Sequence, residues 1–179
     1  MPTLRSLRDA LIAHAADLLD AGEQALSLRA VARAAGVSAM APYRHFSDKA
    51  GLLHAVKEQG FATLHEVLAA ADARGLARSL PQALVEQGMA YVAFAKARPA
   101  LFRLMFTSTD DGPPREATGG AAYRMLADRV ATLHAVEAET AAMAAWSIVH
   151  GLAMLILDLR LPPEPAATRA TLELFVAGL

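Results

Sequence analysis

The sequence predicts an all-α protein of about nine helices, and three observations carry that prediction. Apolar residues recur three and four positions apart along nearly the whole chain of 179 residues, which is the period of one helix face. No stretch alternates apolar and polar residues as a half-buried strand does. Small capping residues and glycines stand where one apolar stripe ends and the next begins.

Taken in order, Leu4, Leu7, Leu11, Ile12, Ala15, Leu18 and Leu19 form a first stripe that stops near Gly22. Ser27 caps a short helix that reaches about Ala35, just before Gly36. Ser38 caps a second short helix ending at His45 or Phe46, and Asp48 caps a long one over 49–71. After a break at 74–79, further helices are expected at 80–97, 99–107, 116–134, 137–160 and 164–177. Pro99 suits a first helical turn, and Pro162-Pro163 ends the helix over 137–160. The segment 108–120, STDDGPPREATGG, is the one long loop signal.

Composition narrows the class. Hydrophobic residues make up 55% and charged residues 20%, an excess that suggests apolar surface covered by a second subunit or an apolar ligand. The net charge is -1, yet 29–49 holds Arg29, Arg33, Arg44 and Lys49 against Asp48 alone. Such a local basic patch suits phosphate contacts. The absence of cysteine excludes disulfides and thiolate zinc sites. The N-terminus mixes charge with apolar residues and does not read as a signal peptide. The run 141–157 approaches spanning length but is alanine-rich and carries His150, so it reads as a buried helix and no membrane partner is expected.

Ser27 to Phe46, SLRAVARAAGVSAMAPYRHF, has the parts of a helix-turn-helix. Val31 and Ala35 face inward, and Ala32 is small enough for a second helix to cross. Gly36 supplies a turn whose positive φ would strain any residue with a Cβ. Basic residues on a helical hairpin often mean only solvation, but here turn, caps and crossing residue coincide in order.

The stretch LSLRAVARAAGVS...PYRHFSDKAGLLHAV resembles the TetR family signature: a short helix, a Gly-Val-Ser turn, Tyr-x-His-Phe and a downstream Lys. The resemblance runs without a gap over about 5–60. It implies a three-helix DNA-binding head, with 38–45 entering the major groove and a long helix leading to a ligand-binding and dimerisation domain. On that basis the domains are 1–60 and 61–179. Tyr43 and Lys49 are expected to grip the DNA backbone, with His45 near the surface and Arg29 and Ser38 adding phosphate contacts. Met40, Ala41 and Arg44 are placed to meet base edges, and of these only Arg44 hydrogen-bonds strongly. Pro42 departs from the pattern, because the family usually has leucine or another helix former there. Its missing N–H and its ring predict a tightened first turn and a base preference of this chain's own.

RPALFRLMF at 98–106 and Trp146-x-x-x-His150-Gly151 resemble one C-terminal subgroup of the family. Trp146 and His150 share a helix face and are either part of a ligand cavity or a core pair. Met89, Phe102, Met105, Phe106, Tyr123 and Met125 are the other cavity candidates, for an apolar or weakly polar effector. The resemblance also implies dimerisation through the last two long helices, with Ala138, Ala142, Ala145, Leu172, Phe175 and Val176 as interface candidates.

The chain is therefore expected to be a cytoplasmic, homodimeric regulator, most simply a repressor, that leaves a palindromic duplex operator when a small molecule binds. The alternative is a helical small-molecule binder that does not read DNA. His54 and His65 lie too far apart along one helix to share an ion, roughly 16 Å. No phosphate loop, nucleophile elbow or His-Glu-x-x-His occurs, so no metal, cofactor or enzymatic activity is expected.

Overall fold

The computed structural model describes residues 6–22, 26–107, 120–133 and 136–179. These residues form eight α-helices and one short 3-10 turn, and among them no strand occurs. The helices are α1 (Leu7–Asp20), α2 (Leu28–Ala34), α3 (Lys49–Leu76), α4 (Leu80–Ala97), α5 (Pro99–Phe106), α6 (Gly120–Leu133), α7 (Ala138–Leu157) and α8 (Pro165–Ala177). The 3-10 turn is Pro42–Arg44. The expected loop, apart from Gly120, and the expected starts of the first stripe at Leu4 and of the helix at 116 lie outside the described residues.

Local chemistry accounts for the helix bounds. Ser6, Ser27, Asp48 and Ser79 each accept a hydrogen bond from the backbone N–H three residues on, at 2.8 to 3.3 Å, satisfying donors that a helix start leaves open. Gly36 ends α2 at φ +68°, where Val37 N–H bonds the Ala32 carbonyl and Gly36 N–H bonds that of Arg33. That paired bonding is a Schellman stop, and a glycine fits its left-handed residue without strain.

The chain divides into two compact units. The first is Met1–Gly60 with Arg98–Thr109, and the second is Phe61–Ala97 with Asp110–Leu179. A single cut after residue 60 therefore does not describe it, because α5 packs against α1 in the first unit. The reason lies at the start of α5. Its N-cap position is Arg98, which makes no capping bond of its own, and Pro99 follows at the first turn. The carboxylate of Asp20, at the end of α1, takes over by accepting from Ala100 N and Leu101 N, both at 3.1 Å. It also pairs with Arg98 Nε. Phe102 and Met105 are buried in this unit. Gly60 lets Met105 approach, since a Cβ there would stand 2.8 Å from its sulfur.

In the second unit α4 packs against α6, α7 and α8. Leu84, Val130, Ala142 and Ala145 form a buried cluster, with Leu126, Leu133, Phe175 and Val176 packed against it. Two glycines permit close approach: a Cβ at Gly88 would meet Leu172 at 2.8 Å, and one at Gly75 would meet the backbone of Ala83 at 2.5 Å.

Candidate nucleic-acid interface and effector-domain interior

The second helix expected over Ser38–Phe46 is instead a succession of tight turns. Pro42 has no N–H to offer the Ser38 carbonyl, so that oxygen accepts from Ala41 N at 2.9 Å, one residue earlier. Pro42's own carbonyl then accepts from both His45 N and Phe46 N at 2.9 Å. The predicted tightening thus spreads over the whole segment, and Ser38 caps no α-helix there.

This geometry still presents the expected residues outward. Pro42 and Phe46 are buried and pin the segment at two points four residues apart. Between them Tyr43, Arg44 and His45 are exposed, as are Arg29, Ser38, Met40 and Lys49; Ala41 is half-buried. Asp48, the one acid within 29–49, spends a carboxylate oxygen on Gly51 N at 2.8 Å. Arg8 lies 5.5 Å over the Phe46 ring, a cation–π contact that braces the pin from α1.

The cavity candidates fall in both units. Phe102, Met105 and Phe106 belong to the first unit, where the rings of Phe102 and Phe106 stand 4.9 Å apart. Met89 is half-buried on α4. Tyr123, Trp146 and His150 do cluster in the second unit, with centroid distances of 5.7 Å and 5.9 Å along that series. Their partner is a residue the sequence reading left out, Tyr91, whose hydroxyl stands 2.9 Å from His150 Nδ1. Burial pushes the Tyr91 hydroxyl far above its ordinary pKa, against the pull of a hydrogen bond from Trp146, and burial also lowers that of His150. A neutral imidazole with its proton on Nε2 accepts the Tyr91 proton in a hydrogen bond at Nδ1. The Nδ1 face of the imidazole thus meets Tyr91, while the indole beside it is partly exposed.

A groove of about 480 Å³ opens elsewhere in the second unit, within the range of small-molecule sites. His65 lines it from α3, and Arg124, Met125, Asp128, Arg129 and Thr132 line it from α6. Of the cavity candidates only Met125 reaches this groove, and its lining is more polar than the expected apolar one. Asp72 accepts two bonds from Arg129, of 2.8 Å and 2.6 Å, and a third from Gln87 Nε2 at 2.7 Å. Burial raises the Asp72 pKa, but the hydrogen bonds from Arg129 and Gln87, with the Arg129 charge, outweigh it and leave the carboxyl below its usual range. Gln87, which completes this network, is a buried polar residue in α4.

Three of the six interface candidates are buried within the protomer. Ala142 and Ala145 are core residues of the protomer, Leu172 is buried over Gly88, and Phe175 and Val176 pack against the core cluster. Ala138 is half-buried. Ala142, Ala145 and Leu172 face inward because α7 and α8 cover α4. What the two helices leave outward is Met143, Trp146, Leu155 and Leu174.

Residues 84–179 match the family described as "Tetracyclin repressor-like, C-terminal domain", and 11–56 match "Bacterial regulatory proteins, tetR family". The chain belongs to the TetR family. As a member of it, the chain is a DNA-binding regulator of transcription. A protein of unknown function from Rhodococcus sp. RHA1 is 31% identical, with 99% of this chain and 97% of that one covered at a TM-score of 0.83. The TetR-family regulator PfmR from Thermus thermophilus shares the fold at 23% identity, 98% coverage of both chains and a TM-score of 0.66. So does a TetR variant from Acinetobacter baumannii AYE, solved with minocycline, at 22% identity, coverage of 98% and 96%, and a TM-score of 0.63. No curated protein sequence matches the chain. Within this TetR-family head, the Pro42–Arg44 turn occupies the place of the helix that the motif led one to expect.

Proposed function

We propose that the chain is a cytoplasmic homodimer that represses transcription from a palindromic operator and is released when a small molecule binds the second unit. One observation carries the DNA half of this reading. Tyr43, Arg44 and His45 stand outward between two buried pins, with Lys49, Arg29 and Ser38 exposed beside them in sequence or on the preceding helix. In this reading Tyr43 and Lys49 hold phosphates and fix the register, while Met40, Ala41 and Arg44 meet base edges. A helix-turn-helix dimer meets half-sites about one DNA turn apart, roughly 34–36 Å, or a multiple of that.

The partner surface follows from α7. Its mean hydropathy is 1.7 over an 18-residue window, of which 28% is buried in the protomer. Apolar side chains left in water on that scale favour a second copy, and Met143 and Leu174 are the most exposed of those on α7 and α8. The groove beside His65 and Arg124 is the site we assign to the effector. Binding there releases DNA only if the effector prefers the conformation that the operator disfavours.

The test measures binding to the DNA upstream of the chain's own gene as salt is varied. Tyr43→Phe and Lys49→Ala should each weaken binding several-fold, with sedimentation still reporting a dimer. Loss of one phosphate contact per protomer should also reduce the salt slope by about one per half-site for Lys49→Ala. Unchanged affinity and slope in both variants refute the docking.

A further inference from the structure

We infer that Met40 is a specificity residue that reads the 5-methyl group of a thymine in each operator half-site; this rests on the DNA-binding reading above and deepens it. Among the described residues of the first unit, Met40 is the most exposed large hydrophobic side chain, at 68%. Its position is not incidental. Ser38 and Ala41 close a turn through a 2.9 Å backbone bond, and Ala39 and Met40 are the two central residues of that turn. Met40 therefore projects from a turn apex, and Pro42 two residues on is buried and holds the turn in place.

The chemistry of the apex restricts what it recognises. Ala39, Met40 and Ala41 carry no strong side-chain donor or acceptor, so they form an apolar tip beside the hydrogen-bonding Arg44. In the major groove, guanine, cytosine and adenine offer only donors and acceptors, whereas thymine adds a methyl group. An apolar tip over a G·C pair strips water from polar edges and returns nothing. Over thymine it buries carbon against carbon. The unbranched, flexible methionine chain tolerates small differences in the methyl's position.

The experiment uses duplexes that the full-length protein itself enriches from a random pool, with thymines replaced one pair of symmetry-related positions at a time by deoxyuridine. That replacement deletes the methyl and leaves every hydrogen-bonding group. One position per half-site should weaken wild-type binding about four-fold per methyl, by the transfer free energy of one buried carbon, and about fifteen-fold for both half-sites together. Met40→Ala, and Met40→Gln, which keeps the length but adds polar atoms, should bring the thymine-to-deoxyuridine ratio at that position close to one. Lys49→Ala should weaken binding to both duplexes and keep the ratio. Thymine-insensitive binding overturns the inference while leaving the DNA-binding reading intact. So does a ratio that survives in both Met40 variants. Failure to enrich any duplex overturns both.

Discussion

Replacing Asp20 by alanine tests the joint that places α5 in the first unit. The carboxylate is only 15% exposed and does the work of an absent N-cap. One of its oxygens serves Ala100 N and Leu101 N, and the other serves Arg98 Nε. Pro99 has no N–H, so these two amides are the first donors of the helix. Loss of an N-cap costs about 1 kcal/mol, and stranding a second partly buried N–H adds about 1–2 kcal/mol. The Arg98 pair, whose guanidinium is 35% exposed, adds at most about 1 kcal/mol. Asp20→Ala should therefore cost about 2–4 kcal/mol. Asp20→Asn keeps an acceptor for the amides and should cost about 1 kcal/mol, through the lost ion pair and the weaker interaction with the helix dipole. Urea unfolding gives the magnitudes, and amide hydrogen exchange gives the location, with Ala100 and Leu101 losing protection first. If Asp20→Ala lies within about 0.5 kcal/mol of wild type and those amides keep their protection, water caps α5 as well as Asp20 does and the argument fails.

Two further perturbations act on the second unit. Asp72 has its folded pKa lowered from 3.8, so its contribution is complete above about pH 4 and is lost as the pH falls through the folded value. Unfolding midpoints measured down to about pH 2.5 should show a stability loss below about pH 4 that Asp72→Asn makes smaller, and an unchanged pH profile would contradict the sign. Gly75→Ala would push a Cβ to 2.5 Å from both the Ala83 Cα and the Gln82 carbonyl oxygen. Backbone cannot rotate out of the way, so the substitution should destabilise by about 1–3 kcal/mol in the same unfolding assay, against the gain that alanine usually brings to a helix.

The parts of the fold set by short-range chemistry were legible in the sequence. Ser27, Gly36 and Asp48 mark their helix ends because a cap or a left-handed turn is decided within three or four residues. What escaped was decided at long range. The stripe of Leu101, Phe102 and Met105 announces burial but not a partner, and the bond that settles it joins Asp20 to α5 across 80 residues. The Asp72–Arg129 pair, 57 residues apart, was equally invisible. In α7 an apolar character around most of the circumference hid which side faces inward. Ala142 and Ala145 proved to be core, and Met143, beside them in sequence, stands exposed. At the candidate DNA surface the outward residues follow from the motif, whereas the extent of Pro42's effect depends on its carbonyl accepting from both His45 N and Phe46 N.

That effect bears on how the protein divides affinity from specificity. An α-helix laid in the major groove offers bases a run of side chains over several turns, whereas a 3-10 turn eclipses residues three apart and is short. Pro42 and Phe46 are both committed to the interior, so the segment retains few positions for base contacts. Phosphate contacts carry no sequence information, and here Tyr43, Lys49, Arg29 and Ser38 are assigned to them. In the proposed docking, discrimination falls on Arg44, which can pair with a guanine edge, and on the apolar tip at Met40. A reader with one strong hydrogen-bonding residue and one methyl sensor per protomer gains its selectivity from symmetry. In the proposed dimer, two copies held at a fixed spacing square a modest preference, so the outward apolar face of α7 and α8 would matter to sequence recognition as much as to assembly.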